Sequence, residues 1–120
     1  MFAEKRSVLL VEDDFLVALA AKDLLESAGY EVVGPAATLD RALRLVHSER
    51  LDAAVLDINI GTQSIWPVAD ALLVRKVPFV FLSAFANPSS LPTKFASVPQ
   101  LHKPLEDDRL LDYLRSLWGK

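Results

Sequence analysis

The chain has 120 residues, with 13 basic and 16 acidic side chains and no cysteine. Its length fits one domain of roughly 100–200 residues, and the lack of thiols excludes disulfides, thiolate metal sites and thiol nucleophiles. A net charge of −3 argues against a generic nucleic acid binder, which needs a basic face. Apolar stretches are far shorter than the ~20 residues that span a bilayer, and residues 1–7 lack the apolar segment of a secretory signal. We therefore expect one cytoplasmic domain over residues 1–120.

Short apolar runs alternate with segments of helical periodicity along the chain. Such runs predict buried strands, and apolar residues three or four positions apart predict amphipathic helices. Strands are predicted at residues 7–11, 31–34, 53–56, 78–82 and 99–102, and helices at 15–28, from 39 onward, from 67 onward and at 105–118. The apolar face of the first helix is expected to comprise Leu16, Ala20, Leu24 and Ala28, joined by Val17, Ala21 and Leu25.

This alternation predicts the fold class. Strands linked by helices through short connections lie parallel in one sheet and are joined by right-handed crossovers. Five such strands make a small doubly wound α/β sheet, and the apolar content of 52% fits a sheet that is buried on both faces. The segment 85–98 departs from the pattern because Pro88 and Pro92 interrupt it, so we expect a loop or one or two helical turns there.

Polar side chains follow four of the predicted strands. Ligands of open parallel sheets bind at the carboxyl ends of the strands, so these side chains are expected at one edge of the sheet. They are Glu12 and Asp13 after the first strand, Asp57 and Asn59 after the third, Ser83 after the fourth and Lys103 after the fifth.

The residue types at this edge predict phosphoryl chemistry. Three carboxylates in one pocket repel each other unless a cation is present, and hard oxygen ligands favour Mg²⁺. Lys103 and Ser83 are donors for phosphoryl oxygens. Asp57 ends a central buried strand and is the best candidate for a nucleophile that forms an aspartyl phosphate. Glu12 and Asp13 are better suited to hold the metal.

Four motifs in this order resemble the receiver domain of bacterial two-component response regulators over essentially the whole chain. They are Leu10-Val11-Glu12-Asp13-Asp14, Asp57-Ile58-Asn59, Ser83-Ala84 and Lys103-Pro104. The resemblance implies a flavodoxin-like sheet of strand order 2-1-3-4-5 and a phosphoacceptor at Asp57. It also implies that Glu12, Asp13, Asp57 and the backbone carbonyl of Asn59 hold Mg²⁺, with Mn²⁺ as an alternative. Ser83 and Lys103 would bind the phosphoryl oxygens, and the Lys103–Pro104 peptide would be cis.

The sequence departs from the common receiver pattern in three places. Residues 60–67 replace the usual glycine-rich turn, the fourth helix is short or irregular, and Gln100 stands where most receivers carry a tyrosine or phenylalanine switch. The run Pro78-Phe79-Val80-Phe81-Leu82-Ser83-Ala84 is similar to the Pro-Phe-x-Phe-Ala-Thr-Gly motif of single-domain receivers of alphaproteobacteria. That subgroup also tends to lack the aromatic switch and a regular fourth helix.

The resemblance implies a stand-alone receiver in a phosphorelay, without an output domain. A histidine kinase would phosphorylate Asp57, and the signal would leave by contact with a downstream regulator or phosphotransfer protein. We expect a monomer or weak dimer that binds neither nucleic acid nor membrane. We expect no enzyme activity beyond magnesium-dependent self-phosphorylation and self-dephosphorylation.

Two alternative functions stay open at this stage. The first is a small haloacid-dehalogenase-like phosphatase, because Asp57-Ile58-Asn59-Ile60-Gly61-Thr62 loosely resembles the Asp-x-Asp-Gly-Thr signature of that class. Asn59 speaks against it, since an amide cannot serve as the expected general acid/base. The second is a pseudo-receiver that only binds partners. Measured phosphate uptake separates this class from a true receiver.

Overall fold

A computed structural model describes residues 5–84, 91–103 and 107–118, with a five-stranded sheet at its centre. The strands are β1 (Ser7–Val11), β2 (Glu31–Ala36), β3 (Ala53–Asp57), β4 (Asn59–Ile60), β5 (Gln63–Ser64), β6 (Phe79–Ser83) and β7 (Gln100–His102). The main sheet has the order β2-β1-β3-β6-β7, and every neighbouring pair is parallel. Because β4 and β5 form a separate hairpin, β6 and β7 are the fourth and fifth strands of the main sheet. The predicted doubly wound sheet and its strand order 2-1-3-4-5 are therefore confirmed.

Helices cover both faces of this sheet. They are α1 (Phe15–Ser27), α2 (Leu39–Ser48), α3 (Trp66–Val74) and α4 (Asp107–Leu117), with a 3₁₀ turn at Thr93–Phe95. Successive strand residues point to opposite faces. One face of the sheet packs against α2 and α3, and the other packs against α1 and α4. No described helix is both long and apolar enough to cross a membrane.

The segment 85–98 contains a single helical element among its described residues. This element is the 3₁₀ turn Thr93–Phe95, which begins directly after Pro92, as the short or irregular fourth helix predicts. Residues 85–90 lie outside the described part of the chain. So does Pro104, and with it the predicted cis peptide at Lys103–Pro104.

Two details of the fold differ from the prediction. A small antiparallel hairpin of β4 and β5 follows Asp57, where only an unusual turn was expected. The apolar face of α1 is centred on Ala18, Ala21 and Leu25, whereas Leu16 is 73% exposed. Residues 15–21 are all apolar, so their pattern does not fix the rotation of the helix. The predicted face was wrong also at Ala20 and Ala28, which are exposed.

Gly34 lies in a backbone position that only glycine tolerates. Its φ is +103°, and a Cβ atom there would lie 2.8 Å from both Leu10 O and Ala36 N. We expect Gly34→Ala to lower the free energy of unfolding by roughly 2–3 kcal/mol, because backbone strain and steric overlap add. Gly29→Ala is the matched control, with a φ of +95° and no atom within 4 Å. Urea denaturation should show a smaller loss for Gly29→Ala; equal losses would contradict the steric argument.

Candidate functional site

Three carboxylates meet at the carboxyl edge of the sheet. Glu12 and Asp13 follow β1, and Asp57 ends β3, the strand paired directly with β1. One oxygen from each of these side chains lies within 4.8 Å of the others. Glu12 and Asp57 are buried, at 1% and 6% exposure, whereas Asp13 faces solvent. Two of the three charges are therefore largely removed from water.

Lys103 enters this cluster from the end of β7. Its Nζ lies 2.9 Å from Asp57 Oδ2 and 2.8 Å from Glu12 Oε1. The backbone N–H of Lys103 donates to the carbonyl oxygen of Ser83 at 2.9 Å, which fixes where the side chain begins. In this structure the ammonium bridges the two buried carboxylates and offsets part of their negative charge.

Burial and neighbouring charges shift two pKa values in this cluster. Burial raises the pKa of Glu12 from 4.5 to about 7, although Lys103 and the Asp14 N–H oppose the rise and Asp57 adds to it. Burial lowers the pKa of Lys103, but attraction by Glu12 and Asp57 outweighs it and raises the pKa above its usual 10.5. The ammonium therefore stays charged, while the Glu12 carboxyl binds a proton near neutral pH.

Asp13 contacts the hairpin that follows Asp57. Its Oδ2 accepts a hydrogen bond from the Gly61 N–H at 2.7 Å, and Asp57 Oδ1 accepts one from the Asn59 N–H at 3.3 Å. Sequence reasoning did not include Gly61 in the site. The available sequence signal was the glycine between Ile60 and Thr62, which indicates a tight turn beside the acids. In the structure this glycine has a φ of +62°.

The remaining predicted residues lie at the same edge. Ser83 is buried at the end of β6 and pairs in register with His102 of β7, one residue before Lys103. Asn59 is exposed at the start of the hairpin. All the predicted strand-end residues thus follow neighbouring strands, and the structure brings Glu12, Asp13, Asp57 and Lys103 into direct proximity.

The donor set suits a small, hard divalent cation. With Glu12 ionised, three carboxylates carry more negative charge than one ammonium offsets, and carboxylate oxygens are the ligands that Mg²⁺ prefers. The buried Glu12 Oε1 lies 2.8 Å from Lys103 Nζ as an ion-pair partner but accepts no hydrogen bond from the described residues. A buried acceptor of this kind is costly unless a cation or donor satisfies it. The residues present therefore fit a magnesium ion.

A comparison of the sequence with models of protein families identifies the family to which this site belongs. The model of the response regulator receiver domain matches residues 8–115. The chain belongs to this family. Membership supports the receiver function over the haloacid-dehalogenase alternative, which rested on one short motif around Asp57.

Receivers of nearly the same length are similar to this chain. SdrG from Sphingomonas melonis Fr1 has 35% sequence identity and a TM-score of 0.82, covering 98% of this chain and 99% of SdrG. A solution structure of the BeF₃-activated conformation of SdrG has a TM-score of 0.76, with 36% identity, covering 92% of this chain and 94% of that one. The polar-differentiation response regulator DivK of Brucella anthropi is 28% identical over 120 residues, covering 95% of this chain and 97% of DivK.

Other curated relatives are longer proteins. The transcriptional regulatory protein PdtaR of Mycobacterium tuberculosis is 28% identical over 86 residues, which cover 71% of this chain and 42% of PdtaR. This receiver domain thus matches less than half of the length of that relative. What such a longer protein does as a whole does not transfer to this chain.

Proposed function

We propose that this receiver domain accepts a phosphoryl group on Asp57 from a phosphohistidine of a histidine kinase. The observation that carries the proposal is the contact of Lys103 Nζ with Asp57 Oδ2 at 2.9 Å, beside two further carboxylates. A carboxylate flanked by an ammonium and a metal-binding acid pair is equipped to receive a phosphoryl group and to stabilise its oxygens.

The transfer exchanges one bond to phosphorus for another. An Asp57 carboxylate oxygen attacks the phosphorus atom, and the new P–O bond forms as the P–N bond to the kinase imidazole breaks. The electron pair of that bond stays with the imidazole, which leaves neutral when its other nitrogen carries a proton. Lys103 and the Ser83 hydroxyl donate hydrogen bonds to the phosphoryl oxygens. Hydrolysis of the acyl phosphate by water returns the free carboxylate and inorganic phosphate.

The metal that assists this step is Mg²⁺, or Mn²⁺ as an alternative. Glu12, Asp13, Asp57 and the backbone carbonyl of Asn59 would hold it, directly or through water. When bound, Mg²⁺ would supply positive charge that offsets the repulsion between the negative phosphoryl oxygens and the carboxylates of the acidic edge. The position of Glu12 supports this assignment, because its carboxylate is buried within the donor set and its Oε1 accepts no hydrogen bond from the described residues besides the ion pair with Lys103.

Phosphorylation is expected to signal through protein contact. The similarity to SdrG and DivK, which are covered almost completely, supports a stand-alone receiver. Its assignment to the subgroup with the Pro-Phe-x-Phe-Ala-Thr-Gly-like motif rests on the run of residues 78–84 alone. The partner is a downstream regulator or a phosphotransfer protein, and the receiver itself is a monomer or weak dimer. No activity is proposed beyond self-phosphorylation from small donors and self-dephosphorylation.

Phosphate uptake tests the proposal directly. The purified chain is incubated with acetyl phosphate and Mg²⁺, and intact mass spectrometry measures the product. We expect one added phosphoryl group, with none when EDTA removes the metal. No mass gain under any condition would overturn the proposal and leave the pseudo-receiver, a module that only binds partners.

Metal affinity tests the role of Asp13. We expect Asp13→Asn to weaken Mg²⁺ binding by roughly tenfold or more, because the variant loses one negative ligand in a partly desolvated site. Isothermal titration calorimetry gives the affinity. Asp40→Asn is the matched control, since Asp40 is also exposed but lies in the first turn of α2. Full Mg²⁺ affinity in Asp13→Asn would show that Asp13 is not a ligand.

A further inference from the structure

A series of contacts leads from the acidic cluster to the first residue of α3. Asp13 Oδ2 accepts the 2.7 Å hydrogen bond from Gly61, in the turn between β4 and β5. The hairpin is closed behind this turn, where the Ile65 N–H donates to Ile58 O at 2.9 Å. Trp66 follows at once and begins α3. A shift of the Asp13 carboxylate therefore acts on the hairpin through Gly61, and Trp66 is the residue that directly follows the hairpin.

Trp66 holds the 3₁₀ turn against α3. Its ring stacks on Phe95 with the centroids 5.6 Å apart and an interplanar angle of 25°, and it meets the edge of Phe81 at 5.6 Å. Phe95 is fully buried, although its neighbours in the turn are exposed. One helical turn after Trp66, Asp70 Oδ1 lies 2.6 Å from Lys94 Nζ. The 3₁₀ turn is thus attached to α3 by a ring stack and an ion pair.

Position 100 makes no comparable contact. Gln100 pairs with Phe81 through the backbone of β7, and its side-chain Oε1 is buried without a hydrogen-bond partner among the described residues. A glutamine has no ring to stack in this aromatic cluster. Phe95 of the 3₁₀ turn meets Phe79 and Phe81 of the sheet at centroid distances of 6.1 and 5.8 Å. Trp66 is the ring that joins Phe95 to the start of α3.

We propose that Trp66 is a positioning residue that transmits occupancy of the Asp57 pocket to the 3₁₀ turn. The inference rests on the proposed function. When metal and a phosphoryl group engage Asp13 and Asp57, the Asp13–Gly61 hydrogen bond changes, the hairpin shifts, and the Trp66–Phe95 stack carries that shift to residues 93–98. The state-dependent surface then lies along α3 and the 3₁₀ turn, with Asp70 and Lys94 as its charged pair.

Backbone chemical shifts of the full-length chain test this route. The probe is Mg²⁺ with beryllium fluoride as a phosphoryl mimic, titrated into ¹⁵N-labelled protein. In the wild type we expect shifts both at residues 57–60 and at residues 93–98. In Trp66→Leu we expect the first set to persist at the same ligand concentration, while the second set falls to roughly half or less. Trp66→Phe, which keeps a ring, should restore most of the second set.

Matched variants separate the possible failures. Trp118→Leu removes the other tryptophan, which packs on Tyr30 far from this route, and Gln100→Leu removes the amide at position 100; both should leave the shifts intact. Undiminished shifts at 93–98 in Trp66→Leu would overturn the relay while leaving phosphorylation standing. If Mg²⁺ and beryllium fluoride cause no chemical-shift change at residues 57–60 in the wild type, the proposed function is refuted instead. Should Trp66→Leu not fold, Trp66→Met, which removes the ring but keeps a large flexible apolar side chain, decides: a reduced response at 93–98 supports the route, and a full one overturns it.

Discussion

Asp57→Asn is expected to abolish phosphorylation of the chain. The amide keeps the size and shape of the carboxylate, but its oxygen carries no charge and is a far weaker nucleophile for phosphorus. Incubation with acetyl phosphate and Mg²⁺ should leave the mass of the variant unchanged, where the wild type gains one phosphoryl group. Because the fold buries Asp57 at the end of β3, the loss of label must be measured on folded protein, as judged by circular dichroism.

The control for this experiment is Asp23→Asn. Asp23 is an exposed acid of α1, and its variant should take up label like the wild type. Peptide mapping adds a second check, since Asp13 is the one carboxylate of the cluster that faces solvent. Label that persists in Asp57→Asn and maps to Asp13 would mean that the acceptor has been assigned to the wrong acid.

The centre of the main sheet was predictable because β1, β3 and β6 are short, fully buried and mostly apolar runs. A strand covered on both faces has no choice of which side chains to bury, so residues such as Val8 and Leu9 both count as core. The convergence of Glu12, Asp57 and Lys103 then follows, since parallel strands deliver their carboxyl ends to one edge. Sequence alone therefore predicted the residues of the cluster together with the fold.

Other features depend on contacts that a linear pattern does not contain. The rotation of α1 was misjudged because its first turns are apolar on every side. The hairpin after Asp57 was missed because β4 and β5 have two residues each, too few for an alternating pattern. The bridging position of Lys103 between two buried carboxylates, and the resulting rise in the Glu12 pKa, depend on distances across the sheet.

The raised pKa of Glu12 predicts how the stability of the metal-free protein depends on pH. The carboxyl has a pKa of about 7 in the folded chain and 4.5 when exposed, so between these values the folded state holds a proton that the unfolded state releases. By linkage, this contribution to stability is fully present below pH 4.5 and is lost as the pH rises through about 7. The loss amounts to at most about 3 kcal/mol, from 1.36 kcal/mol for each pH unit.

Urea denaturation in EDTA at several pH values between 5 and 8 measures this contribution. Other groups titrate in the same range, so the informative quantity is the difference between wild type and Glu12→Gln. The glutamine is neutral at every pH, so the difference should grow from pH 5 to about pH 7 in favour of the variant and then level off. An equal pH dependence in the two proteins would show that Glu12 is ionised throughout and that burial does not control its proton.

Added Mg²⁺ should reverse this trend. A metal ion binds the ionised carboxylate, so the protonated Glu12 competes with it, and apparent affinity should rise as the pH increases toward 7 and then level off. Saturating Mg²⁺ should then raise the free energy of unfolding of the wild type more at pH 8 than at pH 5, because at pH 5 metal binding must first displace the Glu12 proton. Calorimetric titration in two buffers of different ionisation enthalpy counts those protons directly. We expect close to one proton released per Mg²⁺ at pH 6 and almost none at pH 8.5, whereas the same small release at both pH values would mean that the ion avoids Glu12.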